Sequence, residues 1–105
     1  MTTDSLAAIL AIALVACAPQ VLNVPEQAPA DIRIGCELAT HRCARCHTLD
    51  RVTQARVASP EHWQRYVHRM RLTPGSAIRP DEEEPLTRCL VFRSFGAKGL
   101  AEVTP

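Results

Sequence analysis

The chain has 105 residues, 47% hydrophobic and 22% charged, with a formal net charge of +1 at pH 7. These values exclude a disordered acidic tail, a collagen-like repeat and a multi-spanning membrane protein, and no excess of basic residues points to nucleic acid. Trp63, Tyr66, Phe92 and Phe95 are the only Trp, Tyr or Phe residues. The side chains that bury most area are therefore scarce, and something else is expected to fill the interior.

Leu6 to Ala16 is an apolar run without charge or proline. A bilayer-spanning helix needs about 20 such residues, so the run has the length of a signal-peptide apolar region, and it ends in small residues. Leu14-Val15-Ala16-Cys17 resembles the lipobox of bacterial lipoproteins, in which cleavage precedes the cysteine and its thiol is acylated. Residues 1–16 are thus read as a signal peptide and Cys17 as the lipidation site of an exported, periplasmic, membrane-anchored chain. The leading MTTDS departs from the pattern, because it has no Lys or Arg and Asp4 has the wrong sign. Ordinary signal cleavage near Ala18, or an uncleaved anchor, is the alternative.

Residues 17–31 contain Pro19, Pro25 and Pro29 and no apolar periodicity. They read as a linker, which at ~3.1 Å per residue could hold a domain up to about 40 Å from a membrane. The folded domain is expected over 32–95 and a short tail over 96–105.

Five cysteines occur, at 17, 36, 43, 46 and 89. An exported protein normally leaves few thiols unused. Cys43-Ala44-Arg45-Cys46-His47 is the CxxCH pattern of covalent haem attachment. Cysteines at i and i+3 on a helical turn share a face, so both sulfurs can reach the vinyl groups of one porphyrin, and the adjacent imidazole is placed to meet the iron. A zinc site is the rival, and it would have to recruit Cys36, His41 or Cys89 at irregular spacing. Cys36 and Cys89 are left either as a disulfide or as small buried thiols.

From Gly35 onward the chain resembles a small bacterial c-type cytochrome of the class I fold. Gly35-Cys36-Glu37-Leu38, followed by the CxxCH motif and Thr48, is similar to that family's N-terminal helix running into its haem site. The resemblance implies an all-α domain wrapped around one covalent haem c, with His47 as proximal iron ligand. It also implies that a C-terminal helix crosses at Gly35. Cys89-Leu90 stands where the family carries an aromatic-Leu pair, a departure that would bring Cys89 beside Cys36 and make a bridge between them possible.

Ser59 as N-cap, Pro60 in the first helical position and Glu61 in the first turn predict a helix start. At 100° per residue Trp63, Val67 and Met70 share one face with Tyr66 beside them, whereas His68 points away. Trp63-x3-Val67-x2-Met70 followed by Gly75 resembles the distal-ligand segment of short monohaem cytochromes, which implies Met70 as sixth iron ligand. A core-filling role is the ordinary reading of such a methionine. His62 and then His41 are the alternative ligands, and an open position is the third possibility.

Asp81-Glu82-Glu83-Glu84 is read as the dipole-complementing start of a last helix whose regular part begins at Pro85. The arginines form no block and are expected on a solvated surface, with one or two meeting haem propionates. A domain this small rarely holds more than about 3–5 kcal/mol without a staple, so chain lacking haem is expected to be largely unfolded. Taken with the resemblance, these residues imply a non-enzymatic one-electron carrier that serves redox partner proteins. The alternatives are a haem sensor or small haem enzyme with an open distal side, and a zinc- or disulfide-stapled structural lipoprotein.

Overall fold

A computed structural model of the chain describes residues 22–103. The expected signal segment 1–16 and Cys17 lie outside the described residues. Four α-helices follow in chain order: α1 (Ala30–Cys43), the single turn α2 (Asp50–Thr53), α3 (Pro60–Leu72) and α4 (Glu83–Leu100), with a 3-10 turn at Pro80–Glu82 leading into α4. No strand occurs among the described residues, so the architecture is all-α. None of their helices is long and apolar enough to cross a membrane.

The framework is the crossing of α1 and α4. Ile32, Gly35, Cys36, Ala39 and Cys43 are buried along α1, at the three- and four-residue spacing that lines one helical face. Opposite them α4 buries Leu86, Cys89, Leu90 and Val91. Gly35 is what lets the two backbones approach. A Cβ there would lie 2.5 Å from the carbonyl oxygen of Pro85 and 3.7 Å from Cys89 Cβ. Next to this contact Cys36 and Cys89 are joined by a disulfide with Cα atoms 5.1 Å apart. An Arg88–Asp31 ion pair at 3.1 Å also links the two helices.

Helix α3 begins as its sequence dictates, with the Ser59 hydroxyl accepting from the His62 amide and Pro60 in the first turn. It packs on α4 through buried Trp63 and Val67, and the Trp63 indole N–H donates to Ser94 Oγ at 2.8 Å. His68 lies on the exposed side, where Nδ1 is 2.7 Å from Glu83 Oε1.

Both ends of the folded region extend beyond the span expected from sequence. Leu22 and Ala28 are buried in the core, and the Leu22 amide donates to Thr40 Oγ1 at 3.2 Å, so the linker's second half is packed rather than extended. At the other end α4 continues past residue 95. Gly96 adopts φ 71°, which only glycine takes without strain. The kink lets the last turns fold back and bury Val103. Val103 stands alone among polar neighbours and Leu22 lies in a proline-punctuated stretch, so neither gives a periodic core signal. Helix α4 also starts two residues before Pro85, whose missing N–H costs nothing in a first turn.

Candidate functional site

Helix α1 ends at Cys43, so the CxxCH segment occupies the turn that leaves it. That end of the helix is fixed by a bidentate pair: Arg42 Nε donates to Glu82 Oε2 at 2.9 Å and Nη2 to Glu82 Oε1 at 2.8 Å. Glu82 also accepts from the Arg79 amide at 3.1 Å, which closes the turn in front of α4. The Arg42 hydrogen bonds hold the Glu82 carboxyl down at about 2, outweighing the opposing effect of its burial. Of the acidic run, then, Glu82 and Glu83 do more than complement a helix dipole. Glu82 clamps α1 to α4, and Glu83 takes Arg71 and His68 from α3.

A cavity of about 300 Å³ lies beside this clamp. Cys43, Cys46 and His47 line it from the end of α1, and Tyr66 and Met70 from α3. The segment Thr73–Ile78, which turns through Pro74-Gly75, closes it, and Arg42 and Arg51 stand at its edge. The volume falls at the lower end of the range for cofactor sites. No Asp or Glu lines it.

The four residues singled out from sequence thus share one cavity. Cys43 and Cys46 are both unbridged, the first buried and the second exposed. Burial pushes the Cys43 thiol up to about 11, so it stays protonated at neutral pH. His47 Nδ1 is 3.0 Å from the Thr48 carbonyl oxygen. That contact requires the proton on Nδ1 and leaves the Nε2 lone pair available to a metal, the usual way a ligating imidazole is oriented. Met70 packs half-buried against the core. His62 and His41, the alternative ligands, do not line the cavity.

The arginines divide more finely than composition suggested. Arg42, Arg71 and Arg88 are engaged with carboxylates, whereas Arg51 is exposed at the cavity with no ion pair of its own. Sequence reasoning did not identify Arg51, Tyr66 or Ile78 as lining residues. For Tyr66 the signal was its place beside the Trp63–Val67–Met70 face, and for the loop it was Pro74-Gly75. Its ring packs edge-on to Trp63, with centroids 5.8 Å apart, and Arg69 lies 5.7 Å above its face.

The zinc alternative loses two of its three candidate partners, because Cys36 and Cys89 are bonded to each other. Among the described residues no three His, Cys, Asp or Glu side chains come together as a metal site would require. Two thiols, one imidazole and one thioether instead line the same cavity. Compared with known proteins, the chain matches no family model, and no curated protein or solved structure is significantly similar to it.

Proposed function

We propose that this chain is an exported, lipid-anchored monohaem c-type cytochrome that carries single electrons between redox partner proteins. The observation that supports it best is the convergence of Cys43, Cys46, His47 and Met70 on one cavity while Cys36 and Cys89 are consumed elsewhere. Cys43 and Cys46 would hold the porphyrin covalently, and His47 and Met70 would hold its iron. Haem c, when bound, supplies a one-electron iron couple whose potential thioether ligation raises relative to two imidazoles.

The chain's own groups set the conditions for that couple. The Thr48 carbonyl would hold the imidazole proton on Nδ1 and leave the Nε2 lone pair for the iron. Tyr66 and Ile78 supply apolar surface to the cavity wall. Arg51 offers an unpaired cation to a propionate, whereas Arg42 is committed to Glu82. With His47 and Met70 both holding the iron, a bound haem would offer no open site to a substrate, which would favour electron transfer over catalysis. Acylation at Cys17 would provide the membrane attachment, since two or more acyl chains anchor stably.

The test is a reduced haemochrome spectrum of the full chain produced with a haem-attachment system. One covalent haem per chain is expected. The Met70→Ala variant should keep its haem but lose the weak sulfur-to-iron band at the red end of the oxidised spectrum. Colourless protein with free Cys43 and Cys46 thiols sinks the reading. Carbon monoxide binding to the reduced wild-type protein without denaturant would replace it with the open-site alternative.

A further inference from the structure

A second cavity, of about 390 Å³, lies between α2 and α4 and shares no lining residue with the first. Val52, Ala55, Val57 and Phe95 form its apolar part. Its polar part consists of Arg56, Arg93, Thr53 and Ser94, and no Asp or Glu lines it. Arg93 is half-buried, and its Nε donates to the Asn23 carbonyl at 3.0 Å, which fixes the side chain and leaves its terminal nitrogens uncommitted. Burial lowers its pKa, and no carboxylate offsets that cost. Ser94 accepts from the Trp63 indole at 2.8 Å, so its own hydroxyl hydrogen remains available to a ligand.

We propose that this cavity is an oxyanion site of the phosphate class, bound by the guanidinium groups of Arg56 and Arg93 and the hydroxyls of Thr53 and Ser94. Two cations and two hydroxyl donors with no lining acid match an anion that accepts several hydrogen bonds, and guanidinium suits tetrahedral oxyanions because its paired donors engage two oxygens at once. The site stands independently of haem attachment. Its ligand could be free phosphate or the phosphate of a lipid headgroup. The second source would suit its position, since the Asn23 that braces Arg93 follows Cys17 by only a few residues.

Trp63 is the chain's only tryptophan, so its indole N–H gives one isolated nuclear resonance next to the site. In the full-length protein, inorganic phosphate should shift that resonance saturably, and sodium chloride at equal ionic strength should not. Arg93→Gln and Arg56→Gln should each weaken phosphate binding by about tenfold or more, the loss of one charge-assisted contact. Arg56 is exposed, so its variant separates lost binding from lost folding. Vesicles of phosphatidylglycerol in phosphatidylcholine form the second arm, measured with protein lacking the acyl chain. Co-sedimentation that phosphate competes away, and that Arg56→Gln reduces, assigns the site to a headgroup. Phosphate binding without co-sedimentation assigns it to the free ion. A shift equal in chloride, or unchanged in both variants, overturns the proposal whatever the haem experiments show.

Discussion

At the crossing of α1 and α4 the side chains of Ile32, Cys36, Cys89 and Leu90 are at most 1% exposed, and the helices touch backbone to backbone at Gly35. Around the cavity at the end of α1, Tyr66, Met70 and Ile78 are only half-buried, although they pack against the same core. The first region is closed by protein atoms and one covalent bond. The second has an apolar wall facing a space the chain does not fill. Protein interiors normally leave few gaps larger than a water molecule, so the contrast separates a part of the fold closed by its own atoms from a part that borders a cavity.

The largest effect should come from denying the cavity its proposed occupant. A Cys43→Ala/Cys46→Ala chain keeps the Cys36–Cys89 bridge but should lose the share of its far-ultraviolet helical signal that α2 and α3 contribute. Any surviving hydrogen-exchange protection should be confined to α1 and α4. A variant that remains as helical as the wild type would erase the distinction between the two regions.

Breaking the crossing comes next. The bridge joins residues 53 apart in sequence, for which the chain-entropy relation gives about 4 kcal/mol. The Cys36→Ala/Cys89→Ala variant should therefore melt roughly 15–30 °C lower than the wild type. A smaller loss is expected from Gly35→Ala. Its new Cβ meets the Pro85 carbonyl, a backbone atom that cannot swing aside, and overpacking of this kind costs about 1–3 kcal/mol. Calorimetric melts of the two variants should rank in that order.

The smallest effect concerns acid. Glu82 titrates at about 2 in the folded chain against an ordinary 4.5, so on acidification the unfolded state takes up the proton first. Its contribution is full above about pH 4.5 and disappears as the pH falls through about 2. Glu82→Gln should flatten the melting temperature over that window, without steepening it elsewhere. An unchanged slope would mean that the Arg42–Glu82 clamp contributes nothing to joining α1 to α4.

Much of the site could be read from local spacing. CxxCH places two sulfurs and an imidazole within one turn, and the 100° advance of a helix puts Met70 with Trp63 and Val67 while sending His68 outward. Ser59-Pro60-Glu61 marks the start of α3 because an N-cap involves only neighbouring residues. Other features had no local signature. Asp81–Glu84 looks like any charged helix start until Arg42, from 40 residues earlier, is seen to meet Glu82. Leu22 and Val103 are core residues only because the chain folds back at both ends.

The sequence by itself therefore determined an all-helical chain, the turn carrying Cys43 and Cys46, and the face on which Met70 lies. Each depends on residues a few positions apart, whose relative placement is set by backbone geometry alone. The tertiary structure decided that Cys36 reaches Cys89, that Arg42 is committed to Glu82 and Arg51 is not, and that Arg93 is half-buried beside a second cavity. Those outcomes turn on how closely α1 and α4 approach at Gly35 and on where the chain ends return. Such long-range packing is a property of the whole assembled core rather than of any one segment.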